Sequence, residues 1–243
     1  VFNTLRIATW NINGAVRPVT NDTVVPEELY ELIGQIDVLC LQEVPFCSSG
    51  SLAGWSSKLS DKTNLPYCAS LPLSPSHLHN TGSVRIGIAM FSRHPLLTVS
   101  STLLPNPCWM EPFPSHDKGA IIARILREGD SNAIAVATTH FVPFTEFNKK
   151  PSDDECLPIW SAFAEFLKNN PKPSFVIGDF NCPTPYDHLP LSRYDDAIRS
   201  STHRKGQMDH IFYDRTYWRL IEQSVTMHCC SDHAFCFSKF IPI

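Results

Sequence analysis

"SFVIGDFNCPTP" occupies residues 174–185 and changes character within a few positions. Phe175, Val176 and Ile177 read as a buried strand, Gly178 and Asp179 end it, and the prolines that follow forbid its continuation. Side chains alternate along a strand, so Asp179 and Asn181 are expected to share one face while Phe180 turns to the other. The run "LRIATWNI" (5–12) ends in the same way, with Asn11 and Asn13 on one face and Trp10 and Ile12 on the opposite one. Two strands that finish in polar pairs suggest a site assembled at strand ends.

Working outward, further strand-like runs rich in β-branched and aromatic residues appear at 36–44, 84–92, 119–126, 132–142, 207–213 and 233–240. Two segments carry helical signals. "VPEELYELIGQ" (25–35) has Pro26 in its first turn followed by acids, and "SDDECLPIWSAFAEFLKNN" (152–170) opens with Ser152 as a candidate N-cap. In the latter Ile159, Phe163, Phe166 and Leu167 recur at helical spacing, the pattern of a core-facing stripe. Residues 45–83, 143–153 and 181–206 read as loops, which are frequently functional when long. Many strands with two helices predict packed sheets flanked by helices.

The chain has 243 residues, 43% of them hydrophobic and 18% charged, enough for a sizeable core and expected to form a single domain over 1–243. A formal charge of −4 advertises no basic field for nucleic acid or anionic membrane. Acids that hold a divalent cation are less negative when loaded than that count suggests, so metal-dependent nucleases survive this test. Nine cysteines cannot all pair within the chain, and Cys40 and Cys236 lie in apolar runs as small core residues. Cys108 with His116, and Cys229 and Cys230 with His228, lack a zinc-ligand spacing. One glycosylation sequon occurs at Asn21, relevant only to a secreted protein. No apolar run reaches the ~20 residues of a membrane helix. An intracellular setting is slightly favoured, and secretion with a cleaved leader stays open.

The strand ends share a chemistry. Glu43 follows "DVLCLQ", His140 closes "NAIAVATTH", Asp209 and His210 sit in "QMDHIFY", and Asp232 and His233 precede the last strand. Carboxylate and amide oxygens suit a hard cation such as Mg2+, which takes one or two carboxylates plus water and substrate phosphate. An Asp beside a His can orient an imidazole for hydrolysis. A Ser231 nucleophile with His233 lacks the GxSxG elbow, and phosphate-loop and dinucleotide glycine patterns are absent. Lys118 in "SHDKGAII" has two readings, a cleft residue facing phosphate or an ordinary exposed loop lysine. His210 reads as a local packing or hydrogen-bonding residue. Trp109, Phe113, Phe144, Phe147 and Tyr186, in predicted loops, either stack on a substrate base or cap the core.

Taken in order, "TWNING" (9–14), "LQEV" (41–44), "TTHF" (138–141), "GDFN" (178–181), "QMDHIF" (207–212) and "SDHAF" (231–235) resemble the motifs of the endonuclease/exonuclease/phosphatase superfamily, the deoxyribonuclease I-like metal-dependent hydrolases. The resemblance spans nearly the whole chain and implies a four-layer α/β sandwich, two packed mixed sheets with helices outside. It implies Glu43 as metal ligand with Asn13 and Asp232, and Asn11 near the ion and substrate. Asp179 would orient or deprotonate the attacking water with Asn181 as its partner. His233, paired with Asp209, would address the scissile phosphate or act as general base, and His140 would be a second phosphate-binding histidine. Lys118 joins Asn11, Asn181 and His140 as a candidate substrate contact.

The cofactor implied is Mg2+, with Mn2+ compatible. The substrate implied is nucleic acid, DNA foremost, for an endonuclease or DNA-end-processing phosphodiesterase that is a monomer or one domain of a longer protein. His140 stands where abasic-site endonucleases carry a tyrosine, which favours the deoxyribonuclease I, tyrosyl-DNA phosphodiesterase and sphingomyelinase branches. "WNING" and the compact size also resemble non-LTR retrotransposon endonucleases. The alternatives are a phospholipid or inositol-phosphate hydrolase, and a catalytically silent binding member.

Overall fold

The structure is a computed structural model that describes residues 4–13, 27–75, 85–106, 117–228 and 231–243. Asn21, Pro26, Cys108, Trp109, Phe113, His116, Cys229 and Cys230 lie outside the described residues. The described residues form two six-stranded sheets. The first runs in the order β11 (Trp218–Met227), β12 (Ala234–Pro242), β1 (Leu5–Asn11), β2 (Val38–Phe46), β4 (Arg85–Ser92), β3 (Tyr67–Pro75). The second runs β5 (Leu96–Leu104), β6 (Lys118–Ile125), β7 (Ile134–His140), β8 (Phe175–Asp179), β10 (Asp209–Asp214), β9 (Tyr194–Asp196). Each sheet is mixed: β1 pairs parallel with β2 and β7 parallel with β8, and the other pairings are antiparallel.

Period-2 alternation builds the layers. In β1, Leu5 and Ile7 point between the sheets, where they meet Val136, Phe175, Ile177 and Ile211 of the second sheet. Ala8 and Trp10 point outward into a second cluster with Leu39, Leu41, Ile33 of α1 (Glu27–Gly34) and Leu59 of α2 (Leu59–Lys62). On the far side, Ala137, Val176 and Phe212 face outward against Ile159, Trp160 and Phe163 of α3 (Leu157–Asn169). Burying side chains of that size contributes roughly 1.5–3 kcal/mol each, which fixes α3 to the second sheet. The result is the expected α/β sandwich of two mixed sheets with helices outside.

Several local expectations change. Ser152 is not an N-cap: α3 starts at Leu157 with Cys156 before it, and Pro158 sits in its first turn. The span 45–83 holds α2 and the edge strand β3, whose Pro72 and Pro75 disguised it, since proline within a strand is tolerated only at an edge. Edge strands β5 and β11 are mostly exposed and lack the alternation that reveals half-buried strands. The span 181–206 contains the short β9. Phe144 is fully buried and Phe147 packs partly against the same cluster, so both cap the core, while Tyr186 is exposed. Cys40 and Cys236 are buried, the small core residues expected, and both are free thiols.

Candidate functional site

Cross-strand register creates the centre of the site. Asp209 of β10 stands opposite Asp179 of β8, Asp179 opposite His140 of β7, and His140 opposite Gly119 of β6. One row across the second sheet therefore aligns two carboxylates and an imidazole, and alternation points all three between the sheets with Ile211, Ile177 and Val136. From the first sheet, the Asn11 side-chain amide donates to Asp179 Oδ2 (2.9 Å) and to Glu43 Oε1 (3.4 Å). His233, at the entry to β12, places Nδ1 2.8 Å from Asp209 Oδ2 and Nε2 3.8 Å from Asp179 Oδ2. His140 Nε2 lies 3.5 Å from Asp179 Oδ2 and 4.0 Å from Glu43 Oε1.

Asp179 and Asn181 do come together, but not by strand alternation. β8 ends at Asp179, and Asn181 adopts a left-handed conformation with φ 48° while its backbone N–H donates to Asp179 Oδ1 (2.8 Å). Its side-chain amide donates to Phe141 O (2.9 Å) and to Asp179 Oδ2 (3.3 Å). Asn13 repeats the turn with φ 53°, its N–H donating to Asn11 Oδ1 (2.9 Å). Asp and Asn stabilise such turns by accepting from the backbone two residues on, and Asn tolerates the left-handed region better than most side chains.

Glu43 also has positive φ, 55°, for a different reason. The β2–β4 register shifts between Gln42 and Val44. Leu39 and Leu41 face the outer cluster before this bulge and Val44 and Phe46 after it, so one residue is inserted and Glu43 is turned away from that cluster. Three of the four non-glycine residues with positive φ among the described residues thus belong to the site, where conformational strain characteristically gathers. Gln42 is structural, exchanging hydrogen bonds with Thr9 (3.1 and 3.2 Å).

Lys118 is not an exposed loop residue. It begins β6, is 5% exposed, and sets Nζ 3.1 Å from Nε2 and 3.3 Å from Nδ1 of His140. Burial lowers its pKa, against the pull of the Glu43, Asp179 and Glu146 carboxylates. Burial likewise pushes the Asp179 carboxyl up to about 6, although the His233 charge opposes it. For His233, burial would lower the pKa, but the Asp209 and Asp179 carboxylates outweigh it and hold the imidazole up to about 10.

The remaining expected residues sit differently. Asp232 is half exposed and faces His203, with Nε2 to Oδ2 at 3.5 Å. Ser231 is a strut rather than a nucleophile: its hydroxyl donates to Asn11 O (2.6 Å) and accepts the His233 N–H (3.0 Å). His210 is buried beneath the sheet, with its ring nitrogens at Asp196 Oδ2 (2.7 Å) and Cys182 O (2.9 Å), the local role expected of it. His203 was missed. No strand pattern or recognised motif marks it in "SSTHRKGQ", and its backbone bridge to His233 reveals its place.

Two groupings of potential ligand atoms occur among the described residues: Asp179, Asp209 and His233, and His203, Asp232 and His233. In the first, the imidazole itself lies between the two carboxylates. Glu43 belongs to neither, yet its carboxylate shares the Asn11 amide with Asp179 and is 18% exposed, against 1% for Asp179. The accessible Glu43 carboxylate, with the Asp179 carboxylate behind the same Asn11 N–H donor, offers the oxygen chemistry that fits a hard divalent cation completed by water and substrate.

A model of the Endonuclease/Exonuclease/phosphatase family matches residues 8–233. No curated protein matches the chain. Among solved structures, the human Nocturnin catalytic domain with bound sulfate anion is 18% identical at a TM-score of 0.71, covering 100% of this chain and 96% of that one. A variant of the 3′ phosphatase NExo from Neisseria, bound to product DNA hairpin, is 16% identical at 0.62, covering 96% and 98%. Humanized D. rerio TDP2 is 16% identical at 0.61, covering 98% of each chain. At these identities the likeness speaks for the fold, and the family match over nearly the whole sequence speaks for descent. Its members are generally hydrolases of phosphoester bonds that depend on divalent metal. The chain belongs to the endonuclease/exonuclease/phosphatase family.

Proposed function

We propose that the protein is a divalent-metal-dependent phosphodiesterase acting on nucleic acid, with DNA the leading substrate. The observation that carries this is the meeting of Asn11, Glu43, His140, Asp179, Asn181, Asp209 and His233 from both sheets in one hydrogen-bonded cluster, buried except at Glu43 and Asn181.

Glu43 would hold Mg2+ (Mn2+ suits the same oxygens), with Asn13 and Asp232 as further proposed ligands. When bound, the ion neutralises a phosphate oxygen and helps to orient it. Asp209 fixes the His233 ring by its Nδ1, so Nε2 is the donor toward phosphate, and a positioned donor of this kind stabilises charge as it develops. His140, with Lys118 beside both ring nitrogens, forms a second phosphate contact. Asp179 accepts the proton of the attacking water. Its Oδ1 is pinned by the Asn181 N–H and its Oδ2 by the Asn11 amide, which aims the carboxylate at one point. The DNA hairpin held by the structurally similar NExo supports nucleic acid as the substrate class.

The test is a panel of plasmid, oligonucleotide, sphingomyelin and inositol phosphates, with and without Mg2+. We expect nuclease activity that requires the cation, and losses of at least about 10³-fold in Glu43→Ala and His233→Ala with circular dichroism unchanged. Full turnover by either variant refutes the assignment. Release of phosphate or phosphocholine with no nuclease activity selects the lipid or inositol-phosphate alternative, and no turnover on any member of the panel selects a silent binding protein.

A further inference from the structure

The turn leading into β10 carries a histidine that no role above uses. His203 and Gly206 exchange backbone hydrogen bonds (3.0 and 2.9 Å), closing a tight loop. That loop is clamped to both sides of the site. Thr202 Oγ1 accepts from the backbone N–H groups of Met208 and Asp209 (3.0 Å each), and Thr202 O accepts from Ala234 N–H (2.7 Å). The clamp lays the His203 ring against His233, with centroids 4.7 Å apart and planes at 34°.

The hydrogen bonds assign the proton. The backbone N–H of Lys205 donates to His203 Nδ1 (3.1 Å), so that nitrogen offers its lone pair and the ring proton sits on Nε2. Among the described residues, the one acceptor facing Nε2 is Asp232 Oδ2 at 3.5 Å, beyond the length of a normal N–H···O bond. The His203 side chain is 8% exposed while its partner carboxylate is 42% exposed and open to water. With only this long contact to a protein acceptor, the Nε2–H can turn to an incoming oxygen beside the stacked His233 ring. The same proton placement argues against Nε2 as a metal ligand, despite the proximity of Asp232 and His233.

We propose that His203 is a substrate-contacting residue whose Nε2–H donates to a non-bridging oxygen of the phosphoester that His233 engages. It exchanges the distant Asp232 oxygen for the substrate oxygen, and no proton is transferred. This rests on the phosphodiesterase reading above. The competing role, packing alone, would need only the ring.

Two variants of the full chain separate these roles. His203→Phe keeps the ring and deletes the donor, whereas His203→Gln deletes the ring and keeps an amide N–H near the position of Nε2. On bis(p-nitrophenyl) phosphate with Mg2+, His203→Phe should lower kcat/KM by about 10- to 100-fold, and His203→Gln should recover most of it. The low-field proton resonance of the Asp209–His233 pair should persist in both variants. In the wild type without metal, inorganic phosphate should shift the His203 Nε2 signal in 15N–1H spectra. Wild-type activity in His203→Phe overturns the proposal, and so do equal losses in both variants accompanied by loss of the His233 resonance. If the wild type hydrolyses no phosphodiester, the phosphodiesterase reading fails separately and the phosphate titration decides: a shifted His203 signal upholds the contact, and an unmoved one ends it.

Discussion

β1 and β8 hold equivalent places in opposite sheets, and the comparison separates what the backbone does from what charge does. Each strand lies between a parallel neighbour, β2 or β7, and an antiparallel one, β12 or β10. Each ends in a side chain whose oxygen caps the N–H two residues on, and each i+2 residue is a left-handed asparagine, Asn13 at φ 53° and Asn181 at φ 48°. The terminal group differs. Asn11 is neutral and donates across the gap, while Asp179 is a buried carboxylate that receives. The parallel neighbours differ as well, since β2 needs a bulge to turn Glu43 away from the outer cluster whereas β7 delivers His140 by regular alternation. One backbone device is used twice, and the difference in charge allows the two strand ends to bind each other rather than repel.

The comparison can be broken most severely through the tie between the antiparallel neighbours. Asp209→Asn should reduce kcat by about 10²–10³-fold, because Asp209 fixes the ring of His233 across the sheets. In the metal-free protein His233 should remain protonated until the pH approaches about 10, so whatever stability its charge contributes is present below about 6.5 and lost as the pH rises through about 10. In Asp209→Asn the His233 15N signals should titrate at clearly lower pH, and a full turnover rate in that variant would sever the supposed link.

A second break is steric and specific to one sheet. Gly178 sits at φ 139°, and a Cβ there would lie 2.1 Å from Thr139 O, whereas the matching place in β1 is Trp10, buried against Phe235 and His228. Gly178→Ala should lower unfolding stability by about 3 kcal/mol, read from urea midpoints. An unchanged midpoint would mean that the β7–β8 approach is looser than described.

Converting Asp179 to the amide of its counterpart tests the charge difference itself. A carboxyl raised to about 6 favours the folded state fully only below its unfolded value of 3.8, and that contribution disappears as the pH climbs through about 6. Asp179→Asn should therefore stabilise the metal-free protein at pH 7.5, on the order of 1–3 kcal/mol, with the gain vanishing below about pH 4 while catalysis is lost. A pH-independent change in stability would contradict burial as the origin of the shift.

The smallest effects should sharpen the resemblance of the two turns. Asn13→Gly should shift stability by less than about 0.5 kcal/mol, since glycine accepts the left-handed turn freely. Asn181→Gly should cost about 1 kcal/mol, because its amide also bonds Phe141 O and Asp179. Thermal melts of the two variants side by side measure the difference, and equal melts would make the turns interchangeable.

Local sequence determined a great deal here. Apolar runs that close near Asn11, Glu43, His140 and Asp179 or open at Asp209 and His233 announced both the strands and the polar groups at their ends, because alternation and residue type are properties of a few consecutive positions. The edge strands β3, β5 and β11 escaped, since an edge is defined by the neighbour it lacks. Only the tertiary structure decided the rest. It placed the bulge that re-aims Glu43, the left-handed turns that replaced simple alternation, the burial of Lys118 against His140, and the stacking of His203 on His233. Each depends on contacts between segments far apart in the chain, and pairing register and desolvation come into being only when those segments meet.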